Sequence, residues 1–302
     1  MLPISAIIAT RNRASLCSEL LQSISLQDQQ LAEIIFCDSS DDDSTRTAVG
    51  GSARYLRATQ RGAAPQRNQA ILAASQPFVL IMDDDITLQP GCFSSLWSVM
   101  QSLPSAGGVT ATIVNEAYVA PGRWTKALLK WFDDGHERET YAGTCVGPGY
   151  TFWPAADSSL PDAVAVEWMG TGMALYRREL LPNPPFPAIF QGASLCEDLA
   201  LSLSVAKRAP LYQASRARFI HLNAGGDHKA NIREMAAMNL VNRHYVMTQV
   251  LGKTSFRDHL QLASMIAFGM LEPLKRGRLG VLARQMLGQA QGWASILSSH
   301  WK

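Results

Sequence analysis

Cysteine is sparse in this chain, and what there is has no pairing pattern. Cys17, Cys37, Cys92, Cys145 and Cys196 are scattered without a CxxC among them. That argues against a thiolate zinc site and a disulfide framework, and it fits reduced thiols in a cytosolic protein. Long apolar runs are missing too: no stretch offers the ~18 uninterrupted apolar residues of a membrane-spanning helix. The opening MLPISAIIAT lacks the basic start and cleavage pattern of a signal peptide and reads as a first strand. No internal repeat or low-complexity tract is present.

What is there describes a globular, core-forming protein. Of 302 residues, 47% are hydrophobic and 17% charged, enough for one large domain or one domain with an appendage. The net charge of +2 hides an asymmetry: residues 229–302 carry ten Lys/Arg against three acids, so the rest of the chain is net acidic. An acidic body with a basic tail bears on partners.

Short apolar stretches alternate with helical patterns over the first 110 or so residues. Strands are expected at Pro3–Ala9, Glu33–Cys37, Ala53–Leu56, Phe78–Met82 and Gly108–Val114, with helices at Ala14–Leu26, Pro65–Ser75 and Gly91–Leu103. This alternation predicts an α/β fold with a mostly parallel sheet covered on both faces, and ligands then bind at the carboxyl ends of the strands. From Asn115 to about Pro161 glycine, proline and aromatics mix without a period, the mark of a binding loop. A strand at Ala163–Met169, a helix at Ser194–Arg208 and two short strands at Leu211–Gln213 and Arg218–Leu222 follow. Beyond Gly225-Gly226 the chain reads as helical.

The stretch FVLIMDDDITLQPG poses a charge problem: five apolar residues run straight into Asp83, Asp84 and Asp85. Adjacent carboxylates repel, so either water or something positive must sit among them. A hard divalent cation takes oxygen ligands, and one carboxylate can hold it while another meets ribose hydroxyls; an acidic cap to a strand is an equal reading. Asp38 ends EIIFCDSS, where a carboxylate can accept the N–H of a uracil-type base, although such turns are common on surfaces. Arg67, opening a helix after RGAAPQ, can stack on or donate to a base or its phosphates. Glu197 and Asp198 begin CEDLALSLSVAKR, where acids favour a helix start and can also serve as a general base. His221 in RFIHLNAGG becomes a ligand only if a cation waits nearby.

Taken together, these segments resemble family 2 glycosyltransferases of the GT-A fold, especially bacterial rhamnosyltransferase-like members. The likeness covers roughly residues 3–250 and is carried by ATRNR, EIIFCDSSDDDST, RGAAPQRNQAI, IMDDDITLQPG, EWMGTGMALYRREL, CEDLALSLSVAKR, IHLNAGG and MNLVNRHYVM. It departs at Gln66, Gln69-Ala70 and Val241. The resemblance implies nucleotide-sugar binding by Thr10, Arg11, Asp38, Arg67, Asp83 and Asp84, with Asp38, Arg67 and the Thr10 backbone at the base. It implies Asp85 and His221 as ligands of Mg or Mn, Asp198 as the catalytic base, and Glu197 beside the acceptor or bracing its loop. Gly170 and Gly172 would let backbone approach the sugar, and Trp168 would either stack on a sugar ring or pack in the core.

The implied activity is inverting transfer from a nucleotide-diphosphate sugar to a glycan or lipid-linked acceptor in bacterial surface polysaccharide synthesis. Residues 1–228 would form the catalytic domain and 229–302 a helical extension. Basic residues and apolar clusters coincide in that extension, so we expect a cytoplasmic protein that sits peripherally on an anionic inner membrane face. No aromatic interleaving points to nucleic acid. A sugar-phosphate nucleotidyltransferase would carry G-x-G-T-R after the first strand, where ATRNRASL stands. A non-catalytic carbohydrate- or nucleotide-binding protein would need no base at Asp198.

Overall fold

A computed structural model describes residues 1–116, 118–225 and 231–298. The expected domain boundary at 228/229 lies outside the described residues, as do Gly226, Lys229 and Lys302.

Alternating burial builds the central sheet. In β1 (Leu2–Thr10), Ile4, Ala6 and Ile8 face one apolar layer and Ile7 the other. β4 (Phe78–Met82) divides its residues in the same way, with Leu80 and Met82 on one face and Val79 and Ile81 on the other. The first layer is closed by α1 (Ala14–Ser25) and α4 (Cys92–Ser102), through Leu20, Ile24, Phe93 and Leu96. The second is closed by α3 (Ala63–Ala73) and α6 (Glu197–Ala206), through Ala70, Ile71, Leu199 and Leu203. A strand apolar on both faces demands this three-layer arrangement.

The remaining strands are β2 (Leu31–Asp38), β3 (Arg54–Arg57), β5 (Ile86–Leu88), β6 (Gly108–Ile113), a small hairpin of β7 (Cys145–Val146) and β8 (Tyr150–Thr151), β9 (Ala163–Val166), β10 (Met173–Arg177) and β11 (Leu211–His221). The main sheet runs β3-β2-β1-β4-β10-β6-β11-β5, with β9 also pairing β11. The β3-β2-β1-β4 half is parallel, and β10 enters antiparallel between β4 and β6. This largely parallel sheet flanked by helices is the GT-A fold. The parallel register of Thr10 with Asp38, and of Ile8 with Met82, brings the ends of β1, β2 and β4 to one rim.

Four elements differ from the sequence expectation. β10 carries MALYR, four of whose five residues are buried, so the alternation that marks a strand is absent. β5 is only three residues long. Leu211–His221 is one strand, not two, because a bulge between Ala214 and Arg218 shifts its register on β6 without ending it. Part of the aromatic-rich stretch is helical: α5 (Arg123–Phe132) buries Leu129 and Phe132.

The expectation of helices after residue 230 holds. α7 (Ile232–Tyr245), continued by a π-helical turn at Val246–Val250, is followed by α8 (Phe256–Gly269), α9 (Leu271–Lys275) and α10 (Leu279–Ser298). Gly288 and Gly292 let α10 lie directly on α7, since a Cβ at either would press into the α7 backbone. Leu240, Met247, Leu262 and Ile266 share a third core with Leu129, Phe132, Tyr141 and Val146. The helical region and the 115–161 segment are therefore packed as one layer, not a free tail beside a free loop. No helix among the described residues is long and apolar enough to cross a membrane.

Candidate active site

The aspartate triplet leaves β4 at the rim, and the chain itself supplies the positive charge the sequence demanded. Asp84 is buried; it accepts hydrogen bonds from the Thr10 hydroxyl at 2.6 Å and from Arg13 Nη1 at 2.6 Å. Burial pushes its pKa up, against the pull of Arg13. Arg13 lies 3.6 Å from Asp85 and also donates to the Ala224 and Gly225 carbonyls. Asp83 pairs with Arg67 at 2.7 Å.

Asp85 and Asp83 turn their other oxygens toward His221, whose Nε2 is 3.3 Å from Asp85 Oδ1 and 3.8 Å from Asp83 Oδ2. The hydrogen bond to Asp85 raises the His221 pKa to about 9, with Asp83 and Glu116 adding to the effect against burial. Burial opposes ionisation of Asp85, but His221, Arg13 and the Ala224 N–H outweigh it and hold its pKa low. Ligand atoms of Asp83, Asp85 and His221 all lie within 4.8 Å of one another. β11 delivers His221 here by pairing with β5, where His221 stands opposite Ile86, next to Asp85.

Arg67 is the hinge of the site. Its guanidinium, 6% exposed, reaches Asp83 with Nη2 and Glu197 with Nη1 at 2.8 Å. Neighbouring Asp198 accepts from the Leu199 N–H through Oδ1 at 2.7 Å, while its Oδ2 looks toward Gly170. Burial, then mutual repulsion, drives Glu197 upward, and burial raises Asp198 as well. A fixed carboxylate with one oxygen uncommitted can accept a proton from a neighbouring hydroxyl. The turn leading into α6 is held in unusual backbone, with Ser194 at φ 52° and Cys196 at φ 66°. It is pinned to the start of α3 by the Ala64 N–H donating to Ser194 Oγ and by a bridge between Gly62 and Gly192. Left-handed non-glycine residues at a site edge are strain that the surroundings must sustain.

Five sequence expectations take a definite form in the structure. Trp168 packs in the core, one of its two readings: it is 4% exposed and its indole N–H donates to the Phe152 carbonyl. Trp153, packed on Trp168 with ring centroids 5.0 Å apart, is the indole next to Gly170. Arg67 lies among the carboxylates, paired with Asp83 and Glu197. Asp84 is buried against Thr10 and Arg13, whereas Asp83 is more exposed. Asp38 has no exposed surface; its carboxylate takes hydrogen bonds from Ser40 and from Tyr55 at 2.8 Å, so it shapes the turn. The Thr10 carbonyl is likewise occupied, by the Ser39 N–H and Gln66 Nε2.

Arg11 does lie at the rim, paired at 3.1 Å with Asp41, which Arg61 also holds. Gly172 and Gly170 sit beside Asp83 and Asp198 respectively. Gln66, a departure from the family pattern, is explained by its contacts. Its amide donates to the carbonyls of Thr10 and Cys37 and accepts from the Gly62 N–H, tying the ends of β1 and β2 to α3. Sequence reading missed Arg13, Glu116 and Trp153. ATRNR and the aromatic run contained two of them, but nothing in the sequence singled them out.

The sequence of residues 5–156 matches the family described as Glycosyl transferase family 2. No curated protein matches significantly. Among solved structures, a mannosyltransferase from Pyrobaculum calidifontis in complex with GDP-Man and Mn2+ superposes with TM-score 0.55 at 16% identity, covering 96% of this chain and 87% of that one. Mannosyl-3-phosphoglycerate synthase from Rubrobacter xylanophilus gives 0.55 at 16% identity, covering 84% and 76%. Glucosyl-3-phosphoglycerate synthase from Mycobacterium tuberculosis, with Mn2+, UDP and glucosyl-3-phosphoglycerate, gives 0.51 at 18%, covering 84% and 81%. At these identities the likeness is one of fold.

Proposed function

The chain belongs to glycosyl transferase family 2, and we propose that it is an inverting enzyme of the rhamnosyltransferase-like kind, moving a sugar from a nucleotide-diphosphate donor to a hydroxyl of a glycan or lipid-linked acceptor in bacterial surface polysaccharide synthesis. The observation that carries this reading is the single rim on which Asp83, Asp85 and His221 face Asp198 across Arg67. Two carboxylate oxygens and one imidazole nitrogen fit a divalent cation, with Mn suiting the mixed set better than Mg. When bound, that cation supplies electrostatic stabilisation of the departing nucleoside diphosphate.

The chain's own residues do the rest. Asp83, whose other oxygen is fixed by Arg67, meets the ribose, and Arg11 on the outer rim meets the nucleotide. Asp198 Oδ2 takes the proton of the acceptor hydroxyl as that oxygen attacks the anomeric carbon. Glu197, locked to Arg67, keeps the base in place.

A donor panel tests the reading: purified protein, Mn, and UDP-, GDP- and dTDP-sugars, followed by nucleoside-diphosphate release. Slow release from one donor is expected, lost in Asp85→Ala together with a Mn affinity at least about 100-fold weaker. Silence with every donor would overturn the transferase reading. The raised pKa of His221 adds a pH signature. Its imidazole is protonated at neutral pH while the metal is absent, and a ligating imidazole must be neutral. Mn binding therefore releases a proton and tightens about tenfold per pH unit up to about pH 9; a flat profile would exclude His221 as a ligand.

Residues 271–279 support the membrane reading. Leu271, Leu274 and Leu279 are exposed beside Lys275, Arg276 and Arg278. α5 presents Trp124, 85% exposed, among Arg123, Lys126 and Lys130. We expect sedimentation with phosphatidylserine vesicles that weakens with salt, each cation contributing ~1 kcal/mol near the surface; equal binding to neutral vesicles would remove the electrostatic argument.

A further inference from the structure

A narrow slot adjoins the glycine pair. Trp153, Gly170, Gly172 and Glu116 are in its lining, together with Thr112 of β6 and Gln213 of β11. Gln213 is 1% exposed, yet its Oε1 has no hydrogen-bond partner. The orientation of this amide is fixed by its other end. Nε2 donates to the Ala155 carbonyl at 2.8 Å and to Thr112 Oγ1 at 2.7 Å. A carbonyl can only accept, so the NH2 group must face Ala155. Oε1 is the amide atom left over for an occupant, and a buried acceptor without a donor is costly.

Size restricts that occupant. The slot has room of about 20 Å³ for water-sized groups, whereas one water needs ~10–15 Å³. It admits a single hydroxyl or hydroxymethyl group, not a sugar ring. Its position restricts the occupant further. A Cβ on Gly172 would stand 3.8 Å from Asp83 Oδ2, and one on Gly170 would stand 3.8 Å from Asp198 Oδ2. Two glycines in the slot's lining thus stand beside a cation-capable carboxylate and the base. On the transferase reading above, on which this inference rests, the transferred sugar must approach both, because its anomeric carbon is bonded to the leaving diphosphate and attacked by the acceptor.

We propose that Gln213 is a specificity-determining residue, whose Oε1 accepts a hydrogen bond from one hydroxyl-bearing substituent of the transferred sugar seated in the slot against Trp153. A donor lacking that hydroxyl leaves the Gln213 carbonyl buried and unpaired, and the enzyme discriminates against it on that ground alone.

The test uses the whole chain with Mn and the donor found active in the panel, together with the monodeoxy analogues of that donor's sugar. For the wild type, one analogue is expected to lose roughly 10- to 100-fold in kcat/KM for nucleoside-diphosphate release, the others far less. Gln213→Met is expected to turn over the parent donor as poorly as the wild type turns over that analogue, and to lose its preference between the two. UDP or GDP binding by Gln213→Met, read by calorimetry, should match the wild type. A deoxy series without a single sensitive position would overturn the proposal, as would a sensitive position that Gln213→Met leaves unchanged; Gln213 would then hold only water. The wild-type series needs no variant, so a folding defect cannot mask the answer. Absence of any turnover with every donor would instead fell the transferase reading itself.

Discussion

Asp198→Asn is expected to lower the rate of sugar transfer by ~10²–10⁴-fold, the usual contribution of a positioned general base, while nucleotide-sugar binding stays near wild type. The basis is geometric. Asp198 Oδ1 is held by the Leu199 N–H at 2.7 Å, which fixes the carboxylate and leaves Oδ2 toward Gly170. Asparagine keeps the shape and the hydrogen bond but cannot take a proton. The pH profile is the sharper measurement. Burial raises the Asp198 pKa from its ordinary value of 3.8. The acid limb of kcat should therefore lie above the ordinary carboxylate range, with activity rising as pH increases through it. A limb near pH 4, or more than a tenth of the wild-type rate in Asp198→Asn, would assign the base elsewhere.

Arg67→Leu is expected to cost about 3–5 kcal/mol of stability, the range seen when one partner of a buried ion pair is removed. Arg67 alone separates Asp83 from Glu197, and beside Glu197 stands Asp198. Without the guanidinium, three carboxylates face one another with little water. Arg67→Lys should recover only part of the loss, because an ammonium cannot span two carboxylates as a planar fork does. The sign of the pH dependence follows from linkage. A carboxyl whose folded pKa is raised binds more protons folded than unfolded, so its contribution to stability falls as pH rises. Glu197 and Asp198 are already raised in the wild type and move further up without Arg67. The gap between wild type and Arg67→Leu should therefore be wider at pH 8 than at pH 5 in urea unfolding. A gap that does not change with pH would show that the loss is one of packing against Phe186 instead.

The ion pairs also distribute the charge of the triplet. Arg13 neutralises Asp84 and part of Asp85 from α1's approach, Arg67 neutralises Asp83 from α3, and His221 reaches Asp85 from β11. Three separate elements thus each bring a partner to three adjacent aspartates at the end of a buried strand.

Much of the fold was legible in the sequence because it depends on period and punctuation. Phe78–Met82 is apolar from end to end and bounded by Pro77 and Asp83, so its strand has the limits its residues imply. The E-D pair at the start of α6 and the D-x-D run after β4 stand out in the sequence as candidate positions, since charge at the edge of a buried element must meet something. Asp85 and His221 are far apart in sequence, and the fold brings them within 3.3 Å of each other.

Tertiary structure decided the rest, for reasons of distance and shared hydrogen bonds. Asp83 and Asp84 are chemically identical neighbours, and only the packing of Thr10 and Arg13 turned one inward and left the other at the rim. Trp153 and Trp168 are both indoles near glycines; the carbonyl of Phe152 claimed Trp168, and Trp153 was left beside Gly170. Gln213 reads as an ordinary strand residue until Ala155, 58 positions earlier, fixes which end of its amide is free. Residue type and period determine which elements form and which charges lie at their ends. Which of two equal side chains faces the ligand depends on partners that chain order does not reveal.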